Sequence, residues 1–267
     1  MPMEPVYTPV IGLARALFAA QGLRFRVTGS EHIPHEDGAV VVMNHLSYLD
    51  FTYAGLAARP SGRVIRFMCK DTIFDHPVAG PLMRGMKHIP VDRENGSASF
   101  RAALRALKDG ELVGVFPEAT ISRSFELKEF KSGAVRMAQG ARVPMIPVVL
   151  WGSQRVWTKG HPKRLGRTHT PISIDVGAPM DVPRGADVTQ VVADLHARMT
   201  TMLQAAQDAY PTVPFEDRAF MPARLGGTAP TLEEATALDL EETRLRRQRR
   251  LAQDAAGTDP DEVAGQP

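Results

Sequence analysis

Ala39-Val40-Val41-Val42-Met43-Asn44-His45 is the stretch on which the fold turns. A strand with one wet face alternates apolar and polar residues. An unbroken apolar run of this length, rich in valine, instead predicts a strand covered on both faces, as in the middle of a mostly parallel sheet. The run stops abruptly at Asn44-His45. Ser47-Tyr48-Leu49-Asp50 then has the form of an N-terminal capping box, with Ser47 as cap, and predicts that a helix follows.

The same grammar recurs on either side. Residues 64–69, 89–91, 112–116 and 145–150 are further apolar runs, and residues 172–176 alternate as a late edge strand. Leu23, Phe25 and Val27 alternate with Arg24, Arg26 and Thr28 as a half-exposed strand. Between the strands lie helical patterns. Residues 97–108 put Phe100, Ala103, Leu104 and Leu107 on one face and are closed by Gly110. Residues 132–139 read as another helix, and Val188, Val191, Val192, Leu195, Met199, Met202 and Leu203 stripe a long one. A less regular helix-like stretch with Pro77, Gly80 and Pro81 runs to Met86. Strands alternating with helices predict an α/β fold, a mostly parallel central sheet with helices on both faces. Ahead of it, residues 9–22 form a short amphipathic N-terminal helix that suits either the core or a membrane interface.

The chain has 267 residues, 43% hydrophobic and 23% charged, enough for one large domain. Beyond residue 211 the apolar pattern weakens. Residues 1–210 are therefore expected to be the main domain, and 211–267 a helical, partly disordered extension. Within it, residues 231–252 read as a solvated helix and those after residue 257 as disordered. A net charge of +2 calls for no nucleic acid or anionic partner by itself. The lone Cys69 excludes an internal disulfide, and no Cys/His group has zinc-site spacing, so no metal is expected. The N-terminus carries Glu4 and no basic region, which argues against a signal peptide. The apolar run 10–20, broken by Gly12 and Arg15, is far short of a bilayer span. The chain reads as cytosolic, lying on a membrane if it meets one.

In parallel sheets, ligands collect at the carboxyl ends of strands. Asn44-His45, Asp92-Arg93 and Glu118-Ala119-Thr120 each follow an apolar strand directly. With His45 in the turn and Asp50 on the first helical turn, the carboxylate can fold back onto the imidazole. It would fix the tautomer there and leave the other nitrogen free to take a proton. Asp50 also fits a purely capping role. Arg93 suits a phosphate, or a surface pair with Asp92. Glu118 could bind a hydroxyl, with Thr120 and Ser122 adding bonds. Lys131 precedes a helix start, where backbone N–H groups favour anions. The segment 151–169 interleaves Trp151 and Trp157 with Arg155, Lys159, Lys163, Arg164 and Arg167, a composition suited to anionic lipid surfaces or to a solvated basic loop.

These residues resemble the glycerolipid acyltransferases, the lysophosphatidic acid acyltransferase group. Asn44 through Asp50 is similar to the family's His-four-residues-Asp motif. Gly85 followed by Ile89-Pro90-Val91-Asp92-Arg93 is similar to the second motif, Val115 through Thr120 to the third, and Val143 through Val148 to the fourth. Lys131 lies in a Phe-Lys-x-Gly-Ala match. The order is right, and the likeness covers roughly residues 20–180. It implies a direct transfer of a fatty acyl group from coenzyme A or acyl carrier protein to a hydroxyl of glycerol 3-phosphate or lysophosphatidic acid. His45 would be the general base and Asp50 its orienting acid. Arg93, Glu118, Thr120 and Lys131 would contact the acceptor, whose phosphate would fall to Arg93. The partners implied are the acyl thioester, the glycerol-phosphate acceptor and the cytoplasmic membrane surface, peripherally bound. No cofactor beyond the co-substrate and no nucleic acid is implied.

Two residues depart from the pattern. Ala119 stands for the usual Gly and Ile121 for the usual Arg, whose phosphate contact Arg123 could supply. These departures favour, as alternatives, another lysolipid or a glycolipid acceptor. A catalytically silent lipid-binding protein and a thioester hydrolase are the other readings, the former opposed by the intact His45 and Asp50. Ser153 in Gly152-Ser153-Gln154 lacks the second Gly of a nucleophile elbow, consistent with no covalent intermediate.

Overall fold

A computed structural model describes residues 4–92 and 96–256. Arg93 and the tail expected to be disordered after residue 257 lie outside the described residues. In chain order the elements are α1 (Tyr7–Ala20), β1 (Arg24–Thr28), β2 (Ala39–Met43), α2 (Asp50–Ala54), β3 (Ile65–Lys70), α3 (Ala79–Gly85), β4 (Ile89–Val91) and α4 (Gly96–Lys108). They continue with β5 (Leu112–Val115), α5 (Gly133–Ala141), β6 (Met145–Trp151), β7 (Pro171–Val176), α6 (Val188–Asp208) and α7 (Leu232–Ala256).

The seven strands form one sheet in the order β1-β7-β6-β2-β5-β3-β4. Every neighbouring pair is parallel except β6 and β7. The valine run of β2 sits at the centre, with all five residues buried. Its side chains alternate across the sheet as the pleat requires. Val40 and Val42 face a core built with α4, α5 and α6, through Ala103, Leu107, Val135, Met199 and Leu203. Ala39, Val41 and Met43 face α1 and α2, through Phe18, Tyr53 and Ala54. Both sheet faces are covered, and so β2 has no polar side.

The expected edge strand at 172–176 is instead internal, between β1 and β6. Its polar residues Ser173 and Asp175 resemble a solvent face. Asp175 is in fact satisfied across the ladder, accepting from Thr28 Oγ1 at 2.6 Å and pairing with Arg26 at 3.3 Å. Asp175 therefore spends its polarity on β1 rather than on water.

In α1, Tyr7 and Phe18 are buried, while Leu13 and Leu17 are more than half exposed. The apolar stripe is thus split between core and surface. Among the described residues, no helix is long and apolar enough to cross a membrane. The segment after Pro211 packs on the sheet's carboxyl-end loops. Asp217 accepts from Arg155 and Arg164, and the Phe220 carbonyl accepts from Gln154 Nε2.

Candidate active site

β2 delivers His45 to the carboxyl end of the sheet, and a dense set of backbone bonds fixes it there. Asn44, fully buried, acts as a side-chain rung. Its Nδ2 donates to the Leu150 carbonyl at 3.0 Å, and its Oδ1 accepts from the Leu150 N–H at 2.7 Å. The pairing of β2 with β6 is thereby extended past the last strand residue. The His45 N–H donates to Glu118 Oε1 at 2.8 Å, and the His45 carbonyl accepts from the Ser122 N–H at 2.8 Å. One residue on, the Leu46 carbonyl accepts from Thr158 Oγ1 at 2.6 Å.

Asp50 is 0% exposed, yet four groups donate to it. Oδ2 accepts from the Leu46 N–H at 2.6 Å and the Ser47 N–H at 2.7 Å, and lies 3.0 Å from His45 Nδ1. Oδ1 accepts from Ser153 Oγ at 2.6 Å. A buried carboxylate is tolerated only when its lone pairs are filled, as these are. The capping box expected here forms by half. Asp50 reaches back to the Ser47 N–H, but Ser47 Oγ accepts from the Leu49 N–H and donates to the Trp157 carbonyl. α2 starts at Asp50 with no side-chain cap. Ser47 thus ties the turn to the 157 loop rather than capping the helix.

A carboxylate can only accept, so the hydrogen between the pair belongs on His45 Nδ1. Nε2 is left with its lone pair. The ring stacks on Phe116 at 4.2 Å between centroids and 23° between planes, which restricts its rotation. The side chain keeps 21% exposure.

Glu118 is also buried. Besides the His45 N–H, its Oε2 accepts from the Lys128 N–H at 3.0 Å. Both oxygens brace backbone, joining the His45 turn to the 128 segment. Burial pushes its carboxyl up to about 8, against the pull of the two N–H groups and of Lys128. A carboxyl whose folded-state pKa exceeds its ordinary 4.5 contributes its full stability below about pH 4.5 and loses it as pH rises through about 8. Stability should therefore fall across this window, and Glu118→Gln should flatten the slope. Urea midpoints at pH 5, 7 and 9 check this; equal slopes in the two proteins would contradict it.

Ala119 adopts φ 61°, the left-handed region that favours Gly. Ala119→Gly should therefore stabilise the fold by about 1 kcal/mol, less what Gly adds to unfolded-state entropy. A denaturation midpoint that does not rise would contradict this. Thr120 is partly buried in the same turn, and Ile121 is buried. Lys131 is exposed ahead of α5, its N–H donating to the Pro117 carbonyl at 2.9 Å.

Arg123 lies elsewhere in the charge pattern than its motif position implies. It donates to Asp239 and Glu242 of α7, at 3.3 and 3.0 Å. The structure thus brings His45, Asp50 and Glu118 together, holds Arg123 against α7, and leaves Arg93 outside the described residues. Sequence reasoning missed Asn44's rung, Ser153 as a donor to Asp50, and Lys128, and read Lys159 only as part of a basic segment. Trp151, read as interfacial, is fully buried in β6. Arg155 and Arg164 of that segment share Asp217, and Lys159 pairs with Asp239 and Glu242.

A histidine–aspartate pair at the end of a central parallel strand, inside four ordered motifs, defines the class: the chain belongs to the acyltransferase family. The family's profile, described as "Acyltransferase", matches residues 24–151. The chain is 33% identical over 142 residues to a 1-acyl-sn-glycerol-3-phosphate acyltransferase of Bacillus subtilis, covering 52% of this chain and 69% of that one. It is 33% identical over 143 residues to the enzyme of the same name from Limnanthes douglasii, covering 52% of this chain and 49% of that one. The chain thus spans about half the length of that plant relative. In fold it is similar to the crystal structure of PlsC, the 1-acyl-sn-glycerophosphate (LPA) acyltransferase of Thermotoga maritima. The TM-score is 0.64 at 21% identity, over 77% of this chain and 81% of that one.

Proposed function

We propose that the protein transfers a fatty acyl group from a coenzyme A or acyl carrier protein thioester to a hydroxyl of a glycerol-phosphate acceptor, lysophosphatidic acid foremost. The observation that carries this reading is the His45–Asp50 contact at 3.0 Å with Nε2 left free. The relatives' names support the choice of acceptor.

In this mechanism Nε2 of His45 takes the acceptor hydroxyl proton as its oxygen attacks the thioester carbonyl. Asp50 stabilises the imidazolium that forms, and the thiolate leaves. No covalent enzyme intermediate is involved. Ser153 already gives its hydroxyl hydrogen to Asp50, which supports a structural role for it. Glu118 acts as a positioning residue, through the backbone of His45. Arg93, Thr120 and Lys131 are proposed to contact the acceptor, as the motif order implies.

Removing an acyl chain from water is worth about 0.8 kcal/mol per methylene. The exposed Leu13 and Leu17 support peripheral contact with a lipid surface.

The test is one radiolabelled acyl thioester offered to a panel of acceptors: glycerol 3-phosphate, lysophosphatidic acid, other lysolipids and a glycolipid. Acylated product is expected with a phosphate-bearing glycerol acceptor. Product with only a glycolipid would replace the acceptor, and no product with any would refute the reading.

A further inference from the structure

Three cations converge on the turn that carries His45, each from a different route. Ser122 donates to the His45 carbonyl, and Arg123 is the next residue. Thr158 donates to the Leu46 carbonyl, and Lys159 is the next residue. Lys128 is tied through its own N–H to Glu118, which also holds the His45 N–H. Gly160 permits the approach, since a Cβ there would meet the Arg123 guanidinium at 2.9 Å. The three side chains are only 12–20% exposed, so water screens them poorly.

Three partly buried positive charges this close require anions, and α7 supplies them. Asp239 accepts from Arg123, Lys128 and Lys159, and Glu242 from Arg123 and Lys159 at 3.0 and 2.6 Å. Asp239 and Glu242 lie one turn apart on the helix face that also buries Ala235. A capping box sets that register. Thr231 Oγ1 accepts from the Glu234 N–H, and Glu234 Oε2 accepts from the Thr231 N–H. Among the described residues, two carboxylates face these three cations. A phosphate monoester carries a charge comparable to that of the carboxylate pair, about −1.5 to −2, on three acceptor oxygens held around a single atom.

We propose that Arg123, Lys128 and Lys159 form a phosphate-binding site beside the catalytic turn, which α7 fills with its own carboxylates, so that a phosphate-bearing ligand and α7 compete for it. Reading that ligand as a substrate rests on the function proposed above. A ligand excluded by a prevailing closed state loses apparent affinity in proportion to the open fraction. Removing the competing carboxylates should then restore it.

The probe is inorganic pyrophosphate, titrated calorimetrically into the full-length protein at low salt. Asp239→Asn with Glu242→Gln should tighten binding at least tenfold. Adding Arg123→Gln and Lys159→Gln to that variant should abolish it. Unchanged or weaker binding in the carboxylate variant, or binding that survives loss of the cations, overturns the proposal. Should the double variant fail to fold, Glu242→Gln alone, at the more exposed carboxylate, should still tighten binding measurably; no tightening there also overturns it. A parallel fall in KM for the thioester locates the phosphate on the donor, and one for the acceptor locates it on the glycerol phosphate. Increased flotation with anionic vesicles and no change in KM locates it on a lipid headgroup. Pyrophosphate binding needs no turnover, so failure of the acyltransferase reading leaves this result standing and separately visible.

Discussion

Replacing His45 with alanine should lower the rate of acyl transfer by about 10²–10⁴-fold, the worth of a positioned general base. The fold should survive. The turn is held by backbone bonds from Glu118, Ser122 and Thr158 that do not involve the imidazole. Asp50 loses one donor and keeps three. The side chain's own contribution to packing is its stack on Phe116. The loss should therefore fall on kcat, with KM for both substrates changed little, because the proton transfer is needed only in the transition state. Single-turnover product formation, alongside a thermal denaturation curve, checks both halves. Wild-type-like turnover in a folded His45→Ala protein would remove the imidazole from the mechanism.

Asp50→Asn should be nearly as damaging to the rate, by about 10²–10⁴-fold, and also costs stability. The carboxylate oxygens accept from four donors. An amide has one acceptor oxygen and an NH₂ group that must face one of those donors instead. With the NH₂ at Oδ1, the Ser153 hydroxyl can turn to accept, and the two backbone N–H groups keep their oxygen. That arrangement preserves the turn but puts no charge beside the imidazolium. With the NH₂ at Oδ2, two buried N–H groups are orphaned, at about 1–3 kcal/mol each. The first arrangement should prevail. The expected result is a folded protein, destabilised by about 1–3 kcal/mol, whose kcat falls while substrate binding holds. Denaturation and steady-state kinetics measure the two effects. An unchanged kcat would mean that Asp50 is only a turn-forming residue.

How legible these features are depends on how local their causes are. The centre of the sheet is readable because burial on both faces leaves β2 no choice but an apolar run. The approach of Asp50 to His45 is readable because strand end, turn and helix start lie within six residues. The place of β7 is not, since Asp175 has the same letter whether it meets water or Thr28. Glu118 announces a carboxylate at a strand end, but not that both oxygens are taken by N–H groups of residues 45 and 128. The salt-bridge cluster is the least legible. Arg123 meets Asp239 across 116 residues of chain, and nothing in the spacing of either marks the pair. Half-formed capping at Ser47 has the same origin: its hydroxyl is drawn to a carbonyl 110 residues away.

In the proposed mechanism one imidazole activates the acceptor for direct attack, with no acyl group ever resting on the protein. The measurement that meets it head-on is to mix the wild-type protein with a radiolabelled acyl thioester, first without and then with lysophosphatidic acid. Thiol release and the fate of the label are followed together. No label on the protein and no burst of thiol are expected before the acceptor arrives. Afterwards, thiol and acylated acceptor should appear one for one. Stoichiometric label on the protein, at Ser153 or elsewhere, or steady thiol release with water as the only acceptor, would contradict it.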